Sequence, residues 1–89
     1  MSDVIGKQIL RSATSIGANY RSACKARSKA DFISKITIVE EEADETQYWL
    51  ELLAESGLVE PKSVADLLKE AKELTAIFTS TGKTAKQNK

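Results

Sequence analysis

The chain has 89 residues and a mass of 9.7 kDa, enough for one small domain that buries only about two-thirds of its unfolded surface and is marginal alone. With 42% apolar and 29% charged residues, one proline and four glycines, its composition is globular and excludes collagen-like, proline-rich and disordered chains. Net charge is zero and histidine is absent, which removes His-based general bases, Ser-His-Asp and Cys-His nucleophiles and most zinc sites.

The first periodic segment covers residues 3–26. Ile5, Ile9, Ala13, Ile16, Tyr20 and Ala23/Cys24 recur every three or four positions and form one helical face. Gly17, near Ala13 and Ala18, is expected to let another backbone approach closely, and Cys24 is expected to be a small core residue. A single cysteine cannot form an internal disulfide, which suits a reducing compartment.

Ser28 with Asp31 three residues later reads as an N-terminal cap, and a second helix over 31–56 follows. Phe32, Ile36, Val39, Ala43, Thr46, Leu50 and Leu53 alternate four and three, the spacing of a packing seam. Ile38, Trp49 and Leu52 widen the apolar arc to roughly 200°, more than one neighbouring helix covers. Gly57 fits the position just past the C-terminus.

Pro61 breaks the chain, and Ser63 with Asp66 is expected to cap a third helix over 63–80. Its stripe is Val64, Leu67, Ala71, Leu74 and Phe78, broadened by Leu68 and Ile77. Residues 81–89, with Lys83, Lys86 and Lys89 among Thr, Gln and Asn, are expected to be a disordered basic tail. The expected fold is therefore all-α: one domain over 1–80, built as an antiparallel up-and-down bundle of three helices. No apolar run approaches the roughly 18 residues of a membrane span, and none after Met1 resembles a signal peptide. A soluble cytoplasmic protein that does not engage a membrane is the expectation.

Charge is distributed unevenly. Seven bases in residues 1–35 (Lys7, Arg11, Arg21, Lys25, Arg27, Lys29, Lys35) stand against Asp3 and Asp31. Residues 36–60 hold eight acids and no base, whereas residues 61–89 hold six bases and three acids. Lys7, Arg11, Arg21 and Lys25, continued by Arg27 and Lys29, form a basic stripe able to follow a phosphate backbone, or to serve as a solvated face. Few aromatics are free to stack bases.

Glu42 projects inside the apolar arc between Val39 and Trp49, where an unpaired carboxylate is costly. Arg11, Arg27 and Lys35 are candidate cations, and the Tyr20 hydroxyl and Asn19 amide are neutral donors. The expectation is a polar network in which Glu42 and Glu45 accept from the first helix, from Arg11 or Asn19, with Glu42→Ala costing about 2–4 kcal/mol. The acidic run Glu40, Glu41, Glu42, Asp44, Glu45 lacks the histidines of a two-metal carboxylate bundle. Glu40, Asp44, Glu51 and Glu55 instead read as a solvated acidic face. Ser80-Thr81-Gly82-Lys83-Thr84 echoes a phosphate-binding loop, but Ile77 stands where that motif needs its first glycine. No enzyme, cofactor or metal is expected.

Three stretches together carry a resemblance: residues 8–20 (QILRSATSIGANY), 31–36 (DFISKI) and 42–53 (EADETQYWLELL). They resemble the bacterial four-helix-bundle proteins encoded in intervening sequences of 23S ribosomal RNA genes, related in fold to the accessory proteins of diversity-generating retroelements. The resemblance implies a non-enzymatic homo-oligomer, commonly a pentamer, linked to nucleic acid. It also implies a helix ahead of the Gln8 segment that this chain lacks. An oligomer, pentamer or dimer, is expected to bury Trp49 or Leu52 of the second helix. The functional expectation is an adaptor for structured RNA or another nucleic acid. The alternative is a protein-interaction or structural module whose acidic second helix meets a basic protein partner.

Overall fold

The computed structural model describes residues 2–87, Ser2 by its backbone alone, and consists of three helices: α1 (Ser2–Cys24), α2 (Lys29–Ser56) and α3 (Pro61–Gln87). Four-residue connections force each helix to run antiparallel to the one before it. Pairing across the seams fixes the register. Arg11 of α1 reaches Glu42 and Glu45 of α2, and the Gln47 amide of α2 donates to the Thr75 hydroxyl of α3 at 2.6 Å. Thr75 passes the bond on to the Ala71 carbonyl at 2.7 Å. The all-helical architecture is the expected one.

Helix α2 begins where Ser28, in extended conformation, accepts from the Asp31 amide at 3.0 Å. It ends at Gly57, whose φ of 72° is the left-handed conformation that glycine adopts without strain. Both ends match the sequence signals. The start of α3 does not. Pro61 itself opens the helix, where its missing N–H costs nothing, and Ser63 lies inside the first turn.

As its wide apolar arc requires, α2 takes a neighbour on each side. Ile36, Val39, Ala43 and Leu50 are buried along its seam, joined by Ile5 and Ala23 from α1 and Val64 and Phe78 from α3. At the centre Val39, Ala43 and Phe78 pack together with Ile16. Outside this cluster α1 and α3 hardly meet: among the described residues no Cα of one lies within 8 Å of the other. The main bridge between them is Tyr20 against Phe78, ring centroids 5.7 Å apart. The molecule is an open V, 47 × 19 × 13 Å in its Cα extents, with α2 at the apex.

Three expectations are corrected. Cys24 is exposed, and Ala23, one residue and 100° away, takes the buried place. Ser12 is fully buried on the same face and satisfies its hydroxyl by donating to the Gln8 carbonyl at 2.9 Å. Gly17 is exposed, with open space where a Cβ would stand, so no backbone approaches it.

The close approach occurs instead at Gly82, in a segment that is the third correction. The segment 81–87 is helix and not a disordered tail; Asn88 and Lys89 lie outside the described residues. Phe78, Gly82 and Ala85, spaced four and three, extend the α3 stripe by two turns, and Phe78 and Gly82 are buried. A methyl group on Gly82 would overlap the Glu40 carboxylate and come within 3.1 Å of Ile36 Cγ2. The absence of a side chain there lets the end of α3 lie flat on α2. The phosphate-loop echo around Gly82 is thus part of a packed helix.

Candidate nucleic-acid interface

Lys7, Arg11, Arg21, Lys25, Arg27 and Lys29 are all exposed, as a phosphate-binding surface requires. Arg11 differs from the other five. Its guanidinium spans the α1–α2 seam and contacts Glu45 through Nη2 and Glu42 Oε2 through Nη1 at 3.5 Å, while Nε donates to Gln8 Oε1 at 3.0 Å. Trp49 completes the group: its indole N–H donates to Glu45 Oε1 at 3.1 Å. Among the described residues none of the other five enters an ion pair, and Lys35 is held by Asp31 one turn away at 3.2 Å.

Arg11 therefore fills the role expected of it towards Glu42 and Glu45. Asn19 does not join them. Its amide donates within α1 to the Ser15 carbonyl at 2.9 Å and the Ser15 hydroxyl at 3.2 Å. Trp49 is a donor that the apolar pattern hides, although its place one helical turn after Glu45 is the spacing that permits the bond.

The network is wetter than the sequence suggests. The Arg11 side chain is 48% exposed, Glu45 36% and Glu42 18%. At that exposure solvent screens the pair, and a removed partner leaves water in its place. Glu42→Ala is accordingly expected to cost about 1 kcal/mol or less, below the 2–4 kcal/mol of a buried pair. The midpoint of urea unfolding measures it. A loss above about 2 kcal/mol would mean that Glu42 is shielded from water in solution.

The acidic face also divides. Asp44, Glu51 and Glu55 are exposed, but Glu40 turns inward onto Gly82, and its Oε1 is buried without a hydrogen-bond partner. Among the described residues no three His, Cys, Asp or Glu side chains gather as a metal site would need.

Trp49 and Leu52, the expected interface residues, are half-buried; Trp49 lies edge-on to Tyr48 at 5.1 Å. The more open apolar surface lies inside the V. A cleft of about 210 Å³ runs between Ala13 and Ile16 of α1 and Ala71, Leu74 and Phe78 of α3, floored by Ala43 and Thr46 of α2. Leu67, Leu74 and Ile77, 49–57% exposed, extend its α3 side.

Residues 2–80 match the sequence profile of the 23S rRNA-intervening sequence proteins. The chain belongs to that family. A solved structure of similar fold is a protein of unknown function from the S23 ribosomal protein family of Bacteroides thetaiotaomicron. It is 45% identical, with a TM-score of 0.85 over 90% of this chain and 74% of that one. No curated protein matches the chain. The family match covers all of α1 and α2 and α3 as far as Ser80, so the Arg11–Glu45 seam and the cleft both lie within it.

Proposed function

We propose that this member of the family is a non-enzymatic, cytoplasmic, self-associating helical bundle that binds structured RNA as an adaptor. The observation that carries this reading is the set of exposed bases on the second half of α1, the turn after it and the start of α2, of which Arg21, Lys25, Arg27 and Lys29 make no ion pair among the described residues. Solvent-facing cations without carboxylate partners are what a phosphate backbone recruits. The family's association with 23S rRNA intervening sequences makes structured RNA the polyanion to test first.

A mobility shift with a structured RNA hairpin is the test. The complex should form at about 50 mM salt and weaken steeply as salt rises, because each phosphate contact releases a counterion. Absence of a shift at low salt would overturn the RNA reading. The competing reading, an acidic surface for a basic protein partner, draws on the opposite end, where Glu55 and Glu60 flank exposed Leu58 and Val59. A chain that ignores RNA and pulls down a lysine-rich peptide would favour it.

Self-association rests on the open V. Helices bury one stripe against a neighbour, and here the inner stripes of α1 and α3 face an unfilled cleft. The occupant is a second copy, whose own exposed Leu67, Leu74 and Ile77 supply apolar side chains suited to that lining.

A further inference from the structure

The basic stripe read from the sequence runs along α1, but the fold arranges the charges differently. Lys7 and Arg21 are 14 residues apart, about 21 Å along the helix. Antiparallel pairing sets Lys7, one turn before Arg11, level with the acid-rich half of α2 beyond Glu45, and Arg11 is committed to Glu42 and Glu45. Neither is well placed for a polyanion.

At the other end the packing gathers cations from distant parts of the chain. Gly82 of α3 lies against Ile36 and Glu40 of α2. Lys29 stands seven residues before Ile36 and 11 before Glu40, on the same face of α2. Lys86 stands one turn beyond Gly82, on the same face of α3. Docking Gly82 onto α2 therefore carries the Lys86 turn of α3 towards the start of α2, where Lys29 stands; Lys83 and Lys86 share a groove with Glu40, Thr79 and Gln87. Phe32 packs beside Thr81, Thr84 and Ala85, so the last turns of α3 lie level with the start of α2. Because Tyr20 meets Phe78 and α1 runs parallel to α3, the α1–α2 turn with Lys25 and Arg27 reaches the same level.

Like charges brought together by packing repel one another. The acids at this end offset that repulsion only in part: Asp31 is taken by Lys35, and Glu40, in the groove with Lys83 and Lys86, forms no ion pair with either and buries one oxygen. A bound polyanion would relieve it. We propose that RNA is gripped at this end of the bundle, by Lys25, Arg27 and Lys29 together with Lys83 and Lys86, and not along the length of α1. This rests on the RNA reading above and assigns it a site. Duplex nucleic acid presents a charge about every 1.7 Å, so an end face 19 Å across offers roughly 11 phosphates to five cations.

The test is the salt dependence of binding to an RNA hairpin, measured by fluorescence anisotropy for the full chain and three variants. Five contacts predict a slope of log K against log salt of about −3.5 to −4.5. Lys83→Ala/Lys86→Ala and Arg27→Ala/Lys29→Ala should each flatten it by about 1.4–1.8, and Lys7→Ala should leave it unchanged. All five positions sit on the surface, so circular dichroism should show the fold intact. If Lys7→Ala flattens the slope or Lys83→Ala/Lys86→Ala does not, the end-on site is wrong while RNA binding stands. If the unaltered chain does not bind, the RNA reading itself falls and the site with it.

Discussion

Phe78→Ala should destabilise the bundle by about 3 kcal/mol. Phe78 is the one α3 side chain in the central cluster with Val39 and Ala43, and its ring also meets Tyr20 of α1. Truncating a buried phenylalanine costs about 3–5 kcal/mol. Two effects place this case near the lower end: alanine is the better helix former by about half a kcal/mol, and the space vacated opens into the cleft and admits solvent. An 89-residue domain has roughly 4–13 kcal/mol of stability in all, so the melting temperature should fall by about 12–24 °C. Leu58→Ala is the contrast. Leu58 is 55% exposed in the α2–α3 connection, and its truncation should stay within about 0.5 kcal/mol of neutral. Equal losses at the two positions would show that Phe78 does not join the three helices.

The second large effect concerns assembly. The intact chain should scatter light as a multiple of 9.7 kDa at micromolar concentration, and Leu74→Glu should reduce it to a single-chain mass. Leu74 lines the cleft and is 49% exposed, so glutamate there stays solvated in an isolated chain and leaves the helices intact. In an assembly that fills the cleft with a second copy, the same carboxylate would enter an apolar site without a partner. The wild-type chain running as a stable, well-folded single copy would refute self-association. A wild-type oligomer unaffected by Leu74→Glu would move the interface elsewhere, with Trp49 and Leu52 the next positions to vary.

Local signals locate most of the fold. The four-three spacing of Ile36, Val39, Ala43 and Leu50 is set by helical geometry alone, and all four are buried. Ser28 acts through its hydroxyl on the amide three residues on and Gly57 through its own backbone, so their capping roles follow from sequence. The glycines show where such reasoning stops. Gly17 has small neighbours in sequence yet faces open space, whereas Gly82 sits among polar residues yet is buried. What separates them is the register of α3 on α2, set by contacts some 40 residues apart. The same register turns a basic–acidic–basic sequence into a molecule with cations gathered at one end. Arg11 is readable because Glu42 lies in an apolar arc and needs a partner. The loss of Arg11 from the basic stripe is the corollary that the charge pattern does not reveal.

The measurement that bears most directly on the proposed role is the affinity of the unaltered chain for a structured RNA hairpin between 50 and 200 mM salt. Binding through five phosphate contacts predicts a complex at 50 mM whose association constant falls by about 100–500-fold at 200 mM. No binding at 50 mM, or binding indifferent to salt, would contradict it.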